Sequence, residues 1–120
     1  MIHNYDILCP CCRDKLNQGT TLTLKTRRKN GDEGIIHLAT TIGNYSYTHD
    51  PPVIFDIGEI VTFSCPKCDE SLNAKDFENY ALLKMVVDEN IEFEIVFSRK
   101  AGVQKTYLVT EDGIETYSGT

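Results

Sequence analysis

Two short cysteine clusters constrain this chain more than any other feature. Cys9-Pro10-Cys11-Cys12 and Cys65-Pro66-Lys67-Cys68 each contain Cys-Pro-x-Cys, and 52 residues lie between them. Two Cys-x-x-Cys pairs supply four thiolates, the set a tetrahedral structural metal ion takes. The spacing has a mechanical cause. In a tight turn both sulfurs of a pair face one ion while turn N–H groups point at the sulfurs. Proline after the first cysteine fixes φ at about −65° and suits that turn. The expected ligands are Cys9, Cys12, Cys65 and Cys68. Any fold must therefore bring residues 9–12 against residues 65–68.

Other uses of the cysteines fit less well. An odd count of five argues against a disulfide framework. A thioredoxin-like redox pair needs a strand–CxxC–helix setting, and the pattern here lacks it. An iron site of the rubredoxin kind stays open, because four thiolates in a tetrahedron also suit iron. Cys11 is left over. It reads as a spectator in the variable position of the turn, the alternative being an exposed thiol able to oxidise or exchange as a ligand. His3, His37 and His49 have no ligand spacing and are not needed.

The length of 120 residues suits one domain. The net charge is −6, and residues 51–120 carry 13 acidic against 6 basic side chains. An acidic surface repels phosphate, so nucleic-acid binding over the whole molecule is not expected. The local exception is Lys25, Arg27, Arg28 and Lys29, which reads first as a solvated strand end and otherwise as a phosphate-contacting patch. No apolar run is long enough for a membrane-spanning helix. The start has neither a basic nor an apolar signal region, so a cytoplasmic location is expected.

The rest of the pattern is mostly β with a small α content. Thr20 to Arg28 alternates, with Leu22 and Leu24 on one face. Asn30-Gly31 signals a turn into Gly34 to Thr40. A three-residue loop would set Leu24 opposite Leu38 and Lys29 opposite Glu33. Tyr45 to Thr48 reads as a short aromatic strand, broken by Asp50-Pro51-Pro52. Tyr45, Tyr47 and Phe55 fill a small core or form an exposed patch. Glu59 to Ser64 delivers the chain into the second cysteine turn. Ala74 to Tyr80 is the one helical candidate, and Ala81 to Val87 reads as a strand. Ile91, Phe93, Ile95 and Phe97 alternate with Glu92 and Glu94. Val103 to Thr110 and Ile114 to Tyr117 complete a hairpin. No internal repeat is evident.

The two Cys-Pro-x-Cys turns resemble the zinc knuckles of the zinc-ribbon superfamily. Such knuckles usually carry Gly just after the second cysteine, where this chain has Arg13 and Asp69. The segments GEIVTFSCPKC and EFEIVFSRKAG are also similar to small bacterial zinc-ribbon proteins of unassigned role. Those would be expected to hold a second Cys/His cluster near the tail, yet residues 69–120 contain neither residue type. The resemblance implies one zinc ribbon with additional antiparallel hairpins, over residues 1–120 as a single domain. Residues 1–74 would form the ribbon portion with a long β insert, and 75–120 a C-terminal hairpin extension. No nucleophile elbow, phosphate-cradling loop or Cys–His pair is present. The expected function is non-catalytic: zinc stabilises a β scaffold that binds another protein. The alternatives are nucleic-acid contact through Lys25–Lys29 and iron-based electron transfer.

Overall fold

Alternating apolar and polar residues between turn signals favour strands with one buried face. The computed structural model describes residues 6–40, 46–88 and 91–118. Ten strands run through them: β1 (Asp6–Leu8), β2 (Asn17–Gln18), β3 (Thr21–Arg27), β4 (Glu33–Ala39), β5 (Tyr47–Asp50), β6 (Thr62–Ser64), β7 (Tyr80–Asp88), β8 (Ile91–Ser98), β9 (Lys105–Thr110) and β10 (Gly113–Ser118). One sheet has the order β1-β7-β8-β9-β10, and the other β2-β3-β4-β5 with β6 also paired to β3. All named pairings are antiparallel.

No helix occurs among the described residues, which corrects the small α content expected at 74–80. That segment is a looped turn closed by the N–H of Ala74 on the carbonyl of Tyr80 at 2.8 Å, and Asn79 takes φ 65°. Seven residues are too few to sustain a helix in water, and strand pairing claims Tyr80 onward.

The β3–β4 hairpin also differs in register from expectation. Leu24 faces Ile36 rather than Leu38, and Arg27 rather than Lys29 faces Glu33. Both registers keep the same side chains on the same face, because they differ by an even number of positions. The loop decides between them. Asn30 accepts the N–H of Asp32 at 2.9 Å, and Gly31 turns at φ 95°. Arg28 stays bonded across the loop mouth, its N–H donating to the carbonyl of Asp32 at 2.8 Å, while its side chain makes a contact described below.

The two halves of the chain repeat one another. Cys9, Pro10, Cys12, Leu16 and Asn17 recur 56 positions later as Cys65, Pro66, Cys68, Leu72 and Asn73. The backbone repeats with them: Leu16 N–H donates to Ile7 at 2.7 Å, and Leu72 N–H to Phe63 at 2.9 Å. After a turn longer in the second half, the offset becomes 59. Leu24 pairs with Ile36 and Ile36 with His49; Leu83 pairs with Ile95 and Ile95 with Leu108. β3-β4-β5 thus matches β7-β8-β9.

Each half gives its first strand to the other. β1 pairs with β7, setting Ile7 against Met85, and β6 pairs with β3, setting Phe63 against Thr26. Reciprocal contacts of this kind define a two-fold arrangement, here within one chain. The core collects equivalent side chains from both halves, including Leu22, Leu24 and Ile36 with Ala81, Leu83 and Ile95. Leu24 is 0% and Leu83 1% exposed. Truncating a buried leucine to alanine costs about 2–5 kcal/mol. Leu24→Ala and Leu83→Ala should therefore destabilise to similar extents in chemical denaturation. A near-neutral result for either would refute the shared core.

Candidate metal centre

Each Cys-Pro-x-Cys segment leaves a strand and folds into a turn of the same shape. Arg13 N–H donates to the carbonyl of Cys9, and Asp69 N–H to that of Cys65, both at 2.9 Å. Arg13 and Asp69 take φ 63° and 65°. These are the positions where glycine is usual, and the left-handed backbone is kept without it. In the first turn the N–H groups of Cys11 and Cys12 point at Cys9 Sγ, at 3.3 and 3.4 Å. In the second, those of Lys67 and Cys68 point at Cys65 Sγ, at 3.2 and 3.4 Å.

The turns meet so that Sγ atoms of Cys9, Cys12, Cys65 and Cys68 all lie within 4.8 Å of one another. Cys9 to Cys68 and Cys12 to Cys65 are each 3.7 Å. These two contacts exchange under the internal two-fold, so the cluster sits on that axis. A tetrahedron with metal–sulfur bonds of about 2.3 Å has edges of about 3.8 Å. The distances are far from the roughly 2.0 Å of a disulfide. The donor set therefore fits one tetrahedral ion, and zinc and iron satisfy it alike.

Both first cysteines, Cys9 and Cys65, are 0% exposed, while Cys12 and Cys68 are half-buried. Burial opposes ionisation of Cys9, but the amides of Cys12 and Cys11 together with the Cys12 and Cys65 thiols hold that thiol below its usual value. Burial pushes the Cys65 thiol up to about 12. Sulfurs this close cannot all carry charge without a cation among them, so a bound metal must displace protons. Cys11 is exposed. Its repeat partner is Lys67, so this position points a side chain outward in both halves.

The charged residues around the turns bind the halves together. Asp69 of the second turn pairs with Lys25 of β3. Arg13 of the first turn makes two 3.0 Å bonds to Glu92 of β8. The basic run is largely neutralised. Besides Lys25, Arg27 meets Glu33 at 2.9 Å, and Arg28 makes two 2.9 Å bonds to Glu59. Only Lys29 of the four has no carboxylate partner among the described residues. The run is therefore not a cationic patch.

Neither histidine of the described residues approaches the cysteines as a ligand. His37 Nδ1 meets Thr23 Oγ1 at 3.1 Å. His49 Nδ1 donates to the carbonyl of Pro51 at 2.6 Å, which leaves Nε2 to accept from Thr26 at 2.7 Å. His3 and Tyr45 lie outside the described residues. Tyr47 is exposed, with its ring 6.2 Å from that of Phe55. Phe55 packs against the core and lies under the Arg28 guanidinium at 5.6 Å.

Compared with protein-family models, with curated proteins and with solved structures, the chain matches none.

The Arg28–Glu59 pair couples stability to pH. Both side chains are well covered, at 17% and 8% exposure. The Arg28 guanidinium holds the Glu59 carboxyl below its ordinary value. A carboxyl whose folded pKa lies below its unfolded one, about 4.3, stabilises fully above that pH. The contribution fades as pH falls through the folded value. In thermal melts from pH 7 to pH 3, Glu59→Gln should be less stable at pH 7 and should lose less on acidification. Parallel profiles would show that the pair contributes nothing.

Proposed function

We propose that this chain is a small, non-catalytic zinc protein whose single structural ion pins a two-part β scaffold that binds another protein. The observation that carries this reading is the convergence of two sulfurs from each half on one tetrahedral position. With all four places taken by cysteines, such a site has none for water or substrate, so it does not generate hydroxide or polarise a carbonyl. Its work is folding. Structural zinc contributes on the order of 10–16 kcal/mol in small metal-dependent domains at neutral pH, as much as the net stability of a domain, about 5–15 kcal/mol.

Zinc is favoured over iron by the likeness of the paired knuckles to zinc ribbons; rubredoxins have a closer ligand spacing and aromatic packing around iron. Protein is favoured over nucleic acid as partner, because the net charge is −6 and Lys25, Arg27 and Arg28 already have carboxylate partners. A cytoplasmic setting agrees with thiols kept reduced for metal.

Purified protein should carry about one equivalent of colourless metal per chain, and a chelator should lower its melting temperature sharply. Cys65→Ser should lose the metal and most of the stability, whereas Cys11→Ser should keep both. Metal-poor protein that melts unchanged with chelator would end the scaffold reading, and a red iron protein would replace zinc with electron transfer. Affinity capture from native lysate should retain a specific protein on the intact chain and not on Cys65→Ser. Tight, salt-dependent oligonucleotide binding would instead favour the nucleic-acid reading.

A further inference from the structure

A cleft of about 350 Å³ opens where the two halves meet, away from any residue assigned to the metal. Leu38 of β4 and Phe97 of β8, equivalent under the internal repeat, both line it, together with Phe55, Phe63 and the exposed Ile57. Its size falls at the lower end of small-molecule sites. Its walls are mostly apolar, and its charged members are two cations, Arg99 and Lys100.

Arg99 is the informative residue. The chain has four arginines. Arg13, Arg27 and Arg28 each pair with a carboxylate, at 2.9–3.0 Å. Arg99 pairs with none among the described residues, although the protein carries 18 acidic side chains. Its guanidinium donates instead to two neutral acceptors, the carbonyl of Val61 at 2.9 Å and Thr62 Oγ1 at 3.1 Å. Burial holds its pKa down. A cation partly withdrawn from water without a counter-charge is unfavourable. The fold does not require one there. Arg99 N–H donates to Asn79 just as Thr40 N–H donates to Thr20, and Thr40 occupies the equivalent place in the first half. One half alone carries a cation at this position, and it lines the apolar cleft.

We infer that this cleft binds a small amphipathic carboxylate, its apolar tail among Leu38, Phe63 and Phe97 and its head on Arg99. The guanidinium, fixed by Val61 and Thr62, presents its remaining N–H groups in the fork that matches a carboxylate. Lys100 adds positive charge beside it. The occupant is a small molecule, and its binding is separate from the metal centre.

Decanoate is a suitable probe, titrated below its micellar concentration into the full metal-loaded chain. Amide correlation spectra should shift saturably at Leu38, Phe97 and Arg99 and leave the residues around Cys9 and Cys65 unmoved. Decanol, with the same tail and no charge, should bind about tenfold more weakly, the loss expected for one charge-assisted contact. Arg99→Gln should weaken decanoate about tenfold, and Arg99→Lys should restore part of the affinity. Ile57→Glu alters a residue 93% exposed, so the fold should survive it, as a melt of the variant checks, and it sets a like charge beside the ligand. It too should weaken binding. No saturation at concentrations on the order of 1 mM, equal affinities for decanoate and decanol, or unchanged affinity in Ile57→Glu would each overturn the assignment.

Discussion

Four sulfurs at the crossing of two halves set the terms for the rest of this molecule. The internal two-fold relates Cys9 to Cys65 and Cys12 to Cys68, and the same operation relates β1 on β7 to β6 on β3. Those exchanged strands are three residues each. Strands so short hold few ladder bonds, and each closes a long loop, whose entropy opposes pairing. An ion held by the four sulfurs, immediately after β1 and β6, would fix both exchanges at once. The metal site and the strand exchange are thus one device seen at two scales.

Charge follows the same plan. The left-handed residue that closes each cysteine turn, Arg13 or Asp69, reaches a strand of the opposite half, Glu92 or Lys25. Lys25 lies on β3 and Glu92 on β8, which are not repeat equivalents, so the two contacts differ in place as well as in sign. Exposed pairs of this kind contribute little individually. Their value lies in orientation, because they brace the two turns that aim the sulfurs. The halves diverge most where the fold asks least of them. Thr40 and Arg99 keep equivalent backbone hydrogen bonds, to Thr20 and Asn79, on unlike side chains.

Much of the centre was legible in the chain itself. Cys-Pro-x-Cys is a local signal: turn chemistry and cysteine spacing act over four residues, so the two turns and their inward sulfurs follow from the sequence. The strands followed as well, because Leu22 and Leu24 or Phe93 and Ile95 alternate with polar residues. The repeat was hidden because only five matches fall near the cysteines, and the sheets diverge under a pattern that many apolar residues satisfy. The helix expected at 74–80 failed for a related reason. Helical spacing over seven residues is weak, and the strand from Tyr80 to Asp88 is paired throughout except for a bulge at Val87.

The sequence determined the two cysteine pairs, the β character and the net negative charge, since each depends on residue type and near neighbours. Tertiary structure alone decided which edges meet: that β1 crosses to β7, that Leu24 faces Ile36, that the basic run is neutralised by Asp69, Glu33 and Glu59, and that Arg99 faces apolar walls. Period-two patterns fix which side of a strand is buried and leave its partner open. The partner is chosen by loop geometry, by ion pairs between distant segments and by the meeting of the two cysteine turns, none of which is written in any one stretch of chain.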